Sequence, residues 1–118
     1  MWGVLEHVTD VDLTFRNIKK ILHQKGILFF WIPNINSYAF KLLKEKTPAV
    51  SPRDHLNFFS YKSVEYLCKR HKFKIINFYQ ECPVIDLMYP LIKVNQKLIN
   101  NIIKKNQCYY HVYILKKN

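Results

Sequence analysis

Glycine is the scarcest structural resource in this 118-residue sequence: only Gly3 and Gly26 are present. No Gly-x-Gly turn can be built from two glycines so far apart. A glycine-rich loop that lets backbone approach a nucleotide is therefore excluded within these residues. Acidic residues are also few, 8 against 19 Lys and Arg, giving a formal net charge of +11. The three cysteines, Cys68, Cys82 and Cys108, form no Cys-x-x-Cys pair and no even-numbered framework. A zinc knuckle and a disulfide scaffold are both excluded on that count, and a reduced, cytoplasmic setting is the expectation. Each cysteine has apolar neighbours and reads as a small core residue. The longest apolar run, ILFFWIP, is far below the ~18 residues of a membrane span. The opening residues lack a basic stretch followed by an apolar one, so no secretory leader and no membrane partner are expected. There is no internal repeat and no low-complexity segment.

What is present suits one small α/β domain. Hydrophobic residues make up 49%, aromatics 15% and charged residues 23%. That composition can bury a core and argues against disorder. The basic excess is mostly lysine, scattered along the chain and accompanied by abundant Asn and Ile. Scattered lysine reads as compositional drift rather than a nucleic-acid footprint, which requires a patch. A basic nucleic-acid-binding fragment is thus only a third-ranked reading.

The elements follow from periodicity and caps. TDVDLTFRNIKKILHQKG predicts a helix, capped by Thr9 or Asp10, with Asp12 at the positive end of its dipole. Val11, Phe15, Ile18 and Leu22 form its apolar stripe, and Gly26 is expected to provide a left-handed stop. ILFFWIPN predicts a strand buried on both faces and ended by Pro33. SYAFKLLKEK predicts a short helix capped by Ser37. TPAVSPRDH reads as a loop. FFSYKSVEYLCKRHKF predicts a helix capped by Ser60, with Val64, Leu67 and Cys68 on one face. FKIINFYQ is a strand. MYPLIKVNQKLINNIIKKN has helical period with poor caps, and CYYHVYILKK is a final strand rich in β-favouring residues. His23 and His71 read as helix-end residues, and His111 as a packed strand residue. The alternation implies an α/β layer fold. The doubly apolar strand needs a neighbour on each side, and the residues before Met1 are the expected source of one.

Three segments together resemble the C-terminal half of a class I S-adenosylmethionine-dependent methyltransferase of the ubiquinone-type O-methyltransferase group. The first is VLEHVTDVDLTFRNIKKILHQKGILFFWIPN, with its Leu-Glu-His turn, helix and strand ending in Pro-Asn. The second is DHLNFFSYKSVEYLCKRHKF, in which Lys72 stands where the family usually has glycine. The third is the closing strand CYYHVYILKK. The resemblance covers nearly the whole chain and is weakest between about Cys82 and Gln107. It implies a partial Rossmann-like sheet made of the fifth, sixth and seventh strands, the last antiparallel, flanked by helices. Residues 1–118 would form a single incomplete domain, without the glycine-rich cofactor-binding half.

The same resemblance points to particular residues. Met1 and Trp2 match the position where the main chain approaches the methionine end of S-adenosylmethionine, although Trp2 also reads as an apolar plug. Glu6 and His7 match the family's Glu-His turn, and His55 follows in the later loop. In some relatives this set helps hold a divalent metal together with a further glutamate. Gly3 stands at that glutamate's position here, so no metal is assigned. His7 or His55 could instead take a proton from the methyl acceptor, because imidazole titrates near working pH. A structural role, with Glu6 capping a helix and His55 ordering its loop, stays open on the residues alone.

The expected function is methyl transfer from S-adenosylmethionine to a small-molecule or saccharide acceptor, as the C-terminal part of a longer enzyme. By itself the chain is expected to be inactive. The alternative is a non-catalytic remnant or interaction module, pairing through its open sheet edge with a missing N-terminal half or another chain.

Overall fold

The computed structural model describes residues 1–51, 53–82 and 94–118. Its sheet has three strands: β1 (Ile27–Pro33), β2 (Phe73–Glu81) and β3 (Tyr110–Lys117). The spatial order is β1-β3-β2, and β3 runs antiparallel to both neighbours. The last strand in sequence is thus inserted between the first two, and it is antiparallel as the resemblance implied. Register runs from Ile27 opposite Lys116 to Pro33 opposite Tyr110 on one side of β3. On the other side it runs from Phe73 opposite Lys117 to Glu81 opposite Tyr110, with an irregularity between Ile75 and Asn77. The free edge of β1 carries Met1–Gly3. The Met1 ammonium donates to the Phe29 carbonyl at 2.6 Å, Trp31 N–H donates to the Met1 carbonyl at 3.2 Å, and Gly3 N–H donates to the Trp31 carbonyl at 3.2 Å.

Helix α1 (Val11–Ile21) begins at Asp10, whose carboxylate accepts Leu13 N–H at 2.8 Å. Helix α3 (Tyr61–His71) begins with a reciprocal box in which Ser60 and Ser63 each bond the other's main chain. Between them in sequence lies α2 (Tyr38–Leu43), capped by Ser37 and followed by one 3₁₀ turn over Lys44–Lys46. Helix α4 (Gln96–Lys104) is capped by Asn95, whose side chain accepts Leu98 N–H at 2.9 Å. The expected start of this helix, from Met88 to Lys93, lies outside the described residues. The caps here are better than the sequence promised, because Asn95 was hidden in a run of polar residues.

The core is built on one face of the sheet. Leu28, Phe30 and Ile32 of β1 and Tyr113 and Leu115 of β3 meet Phe15 of α1 and Val64 and Cys68 of α3. Phe15 is wholly buried, with its ring edge-on to Phe30 and Phe73 at 6.3 and 5.9 Å. Burying a side chain of this size stabilises the fold by about 2–3 kcal/mol. A second cluster, Ala39, Ala49, Ile102, Cys108 and Tyr109, joins α2 and α4 to the start of β3. The expectation that β1 is buried on both faces is corrected. Phe29 and Trp31 are half-buried and Ile27 is exposed, so the strand alternates.

Two glycine-related expectations also change. Gly26 does not adopt a left-handed conformation: among the described residues, those with positive φ are Gly3, Lys44, Lys72 and Asn106. Helix α1 stops at Leu22, and Gly26 is required for space. A Cβ there would sit 2.8 Å from Leu22 Cδ1 and 3.0 Å from the His23 carbonyl oxygen. Lys72, by contrast, does occupy the left-handed stop of α3, at φ 57° and ψ 48°. Its N–H caps the Cys68 and Lys69 carbonyls. The thiols divide by environment. Burial pushes Cys68 up to about 11, with Glu65 adding to the effect. Half-buried Cys82 is drawn down by the neighbouring Cys108 thiol, which is raised in turn. Among the described residues, no helix is long and apolar enough to cross a membrane.

Two stability predictions follow from these positions. A left-handed non-glycine residue carries steric strain, partly offset by its lower unfolded-state entropy. Lys72→Gly should therefore raise stability by about 1 kcal/mol in urea denaturation; a loss would show that the Lys72 side chain contributes more than its backbone costs. His111 is 2% exposed, and burial lowers it to about 4. Its folded value lies below the free value, so its contribution is complete above about pH 6.5 and is lost as pH falls toward 4. The loss is roughly 3 kcal/mol by that linkage. Urea midpoints measured from pH 7 to 4 should fall steadily, and NMR should place the His111 titration near the bottom of that range. A ring titrating near 6.5 would contradict this.

Candidate active site

Gly3 starts the site. Its φ of +58° turns the chain away from the β1 edge, and a Cβ there would lie 3.5 Å from Glu6 Oε1. A glutamate at this position would have to adopt the same left-handed backbone, which L side chains resist. The following turn closes through His7 N–H to the Val4 carbonyl at 3.0 Å, and Leu5 enters the core with 1% exposure. The loop before α3 then clamps the turn. Leu56 and Asn57 N–H both donate to the Glu6 carbonyl, at 2.7 and 3.0 Å. The Asn57 side chain reaches the Leu5 and Val8 carbonyls at 3.3 and 2.6 Å. Two segments some fifty residues apart in sequence are thereby fixed against each other.

The clamp brings Glu6, His7 and His55 together. One ligand-capable atom from each lies within 4.8 Å of the others. The imidazole rings stand edge to face, with centroids 4.6 Å apart. His7 Nδ1 faces the Asp54 carbonyl at 2.5 Å, and His55 Nδ1 faces the Ala49 carbonyl at 2.7 Å. A carbonyl can only accept, so each Nδ1 carries the hydrogen and each neutral ring presents a bare Nε2 lone pair. His7 Nε2 lies 4.0 Å from Glu6 Oε1. Glu6 is 3% exposed, and among the described residues its Oε2 has no hydrogen-bond partner. An unmet buried acceptor costs about 1–3 kcal/mol, more when charged. The trio is therefore competent to accept protons or to ligate a cation. Backbone-anchored Nδ1–H groups are also the usual outer support of metal-binding histidines.

These residues line a cavity of about 240 Å³, together with Gly3, Trp31, Ala49 and Tyr110. Its position is the carboxyl end of β1, where open α/β sheets bind ligands. Tyr109 holds the Ala49 side of the wall, its hydroxyl accepting Ala49 N–H at 3.0 Å. Trp31 stacks on Tyr110 with centroids 3.7 Å apart, and its indole N–H donates to Glu81 at 2.8 Å. The Tyr110 phenol is raised by burial first, then by the Glu6 and Glu81 carboxylates. It therefore remains a hydrogen-bond donor at neutral pH. Trp31, Tyr109 and Tyr110 were not singled out from sequence as site residues. The only signal was an aromatic pair opening the last strand, which reads equally as β-propensity.

Trp2 is 58% exposed and stacks on Trp31 at 5.0 Å and Phe29 at 5.9 Å, so it flanks the cavity through Trp31. Met1 packs against the main core instead, with its carbonyl used by Trp31. His71 proves to be more than a helix-end residue. It is buried at the end of α3, and its Nε2 lies 2.9 Å from Asp12. His23 Nδ1 accepts Lys25 N–H at 3.2 Å, within its own turn.

Comparison with known proteins identifies the family. A family profile described as a methyltransferase domain matches residues 1–77. No curated protein matches. Among solved structures, an S-adenosylmethionine-dependent methyltransferase from Mesorhizobium loti superposes with a TM-score of 0.61 at 12% identity. The match covers 98% of this chain and 59% of that one. At such low identity the likeness speaks for the fold, and this chain spans somewhat over half of the solved protein. With the profile covering well over half of its residues, the chain belongs to the methyltransferase-domain family.

Proposed function

We propose that this chain takes part in methyl transfer from S-adenosylmethionine, and that its Glu6–His7–His55 cavity receives the methyl acceptor. The observation that carries the reading is the convergence of two imidazole lone pairs and a buried carboxylate at the carboxyl end of β1. Methyl transfer is an in-line displacement, and its nucleophile must be held close and relieved of a proton. His7 and His55 each offer a fixed acceptor for that proton, and Glu6 would stabilise the imidazolium that results. The ring of Tyr110 and the indole of Trp31 form an apolar wall suited to a small organic acceptor.

The residues present fit the methyl-bearing end of the cofactor. The left-handed Gly3 removes side-chain bulk where main chain meets the cavity, and Trp2 offers an exposed aromatic face beside it. Bound there, S-adenosylmethionine would supply a methyl group activated by its sulfonium. For the adenosyl end these residues offer no glycine-rich loop. We assign that task to polypeptide beyond them, so the chain would act as the acceptor-side part of a longer enzyme. Three free thiols suit a reducing cytoplasm.

A second reading is favoured by one observation, the unpartnered Glu6 Oε2. A divalent cation held by Glu6 and the two Nε2 atoms would satisfy it, and the acceptor's oxygen could complete the coordination.

Three measurements test these readings. In the complete methyltransferase, His55→Ala and Glu6→Gln should each lower transfer by about 10²–10⁴-fold while leaving cofactor affinity unchanged in calorimetry. Full activity in both variants would sink the assignment. Titration with cobalt(II) separates the two readings: visible absorption bands lost in Glu6→Gln support the cation, and their absence leaves proton transfer. The 118-residue chain alone should give no measurable heat with S-adenosylmethionine. Tight binding would overturn the division of labour.

A further inference from the structure

A second cleft opens on the other side of Asn34 and shares no lining residue with the first. It measures about 360 Å³ and lies where the turn after β1, the first turn of α3 and the α4–β3 loop converge. Lys41 reaches it from α2, Lys62 from α3 and Lys105 from the loop, with His111 lining it from β3. Every side chain lining it is polar; three are cationic and none is a carboxylate. Among the described residues, the ion pairs involve other cations and leave these three ammonium groups unneutralised. Three like charges drawn to one concavity repel each other, a cost that an anion would reverse.

His111 supplies an independent observation. It is 2% exposed, its Nε2 makes no regular hydrogen bond among the described residues, and the Asn106 backbone favours its charged form. Its Nδ1 faces the Tyr113 hydroxyl at 3.1 Å. Burial raises the Tyr113 phenol, which keeps its proton and can either donate to Nδ1 or accept from it. Asn34 is spent elsewhere: its Nδ2 donates to the Asn106 and Cys108 carbonyls and its Oδ1 accepts Asn36 N–H. The cleft therefore concentrates positive charge, and among its described lining residues no carboxylate offsets it.

We propose that this cleft binds the phosphate group of a small phosphorylated ligand. A phosphate carries about −1.5 to −2 charge and three strong acceptor oxygens, which suits a cleft lined by three lysines. The volume falls in the range of sites for small organic ligands, leaving room for the group that the phosphate esterifies. The inference does not rest on the methyl-transfer reading, because the two cavities are built from different residues.

The test is NMR titration of the intact chain with inorganic phosphate and, separately, glycerol phosphate, each against sodium chloride of matched ionic strength. Saturable movement of the His111 ring signals is expected with one or both probes. Tighter binding of glycerol phosphate would mark an ester ligand, and equal binding free phosphate. The triple variant Lys41→Ala, Lys62→Ala, Lys105→Ala changes only exposed side chains and should keep the fold. It should weaken binding at least about 10-fold, equivalent to about 1.4 kcal/mol. Unchanged affinity in the variant, movement reproduced by chloride, or no saturation with either probe at tens of millimolar would each overturn the proposal. So would lysine-dependent binding of a short oligonucleotide where neither small probe binds, since that would make the cleft part of a nucleic-acid track.

Discussion

The hydrogen bonds of Asn34 hold the working end of the sheet together. This residue is 1% exposed, directly after the proline that ends β1. Its N–H donates to the Tyr109 carbonyl at 2.7 Å, joining the end of β1 to the start of β3. Its carbonyl accepts Ser37 N–H at 3.0 Å and so sets the entry to α2. Its side chain satisfies two carbonyls of the α4–β3 loop, and a parallel bridge ties it to Phe59 ahead of α3. A buried amide is costly unless all its groups are paired, and here they are. Four segments share one polar centre, and both cavities open beside it. If Asn34 moved, the Tyr109–Ala49 wall of one cavity and the Asn106–Gln107 wall of the other would shift together.

The opposite side of the domain depends on a charged tie. Asp12, in the first turn of α1, receives Arg70 Nε at 2.8 Å and His71 Nε2 at 2.9 Å from the last turn of α3. Arg16 lies 3.7 Å away on its own helix. The hydrogen bond from Arg70 is the main reason the Asp12 carboxyl sits below its usual range, with His71 helping. Each partner also meets a favourable helix dipole, the acid at a positive end and the bases at a negative one. The tie fixes α1 against α3 above Phe15, whose ring lies 5.3 Å from the His71 imidazole. The helix that follows the Glu-His turn is thus held at its far side, and the turn cannot drift from the loop that carries His55.

Much of this was legible from local chemistry. Ser37 and Ser60 cap the helices they were expected to cap, because a hydroxyl beside an amphipathic run has few other uses. The apolar stripe of α1 and the face of α3 meet the sheet as their spacing required. The site trio was readable too, but only through resemblance: fifty residues of sequence separate Glu6 from His55, and no periodicity reports a contact of that range. What stayed hidden was tertiary. The pairing of His71 with Asp12 requires two helices to be laid side by side. The cleft lined by Lys41, Lys62 and Lys105 gathers residues from three elements that look like scattered surface lysines in a basic chain. Gly26 was misread because a glycine after a helix has two uses, a left-handed turn or closeness of packing, and sequence does not say which applies.

The two cavities are chemically opposite, and the sheet explains how they can be neighbours. Side chains alternate across a strand, so Tyr110 and His111, adjacent in β3, point to different faces. Tyr110 lines the cavity that holds a buried carboxylate and two lone-pair nitrogens, an environment that rewards a proton or a cation. His111 lines the cleft that gathers three lysines, an environment that rewards an anion. Opposite fields so close would largely cancel in water-filled space. Here the β1–β3 ladder and the paired Asn34 stand between them, and low-dielectric protein preserves each field on its own side. One strand end can thus carry two recognition chemistries without either neutralising the other.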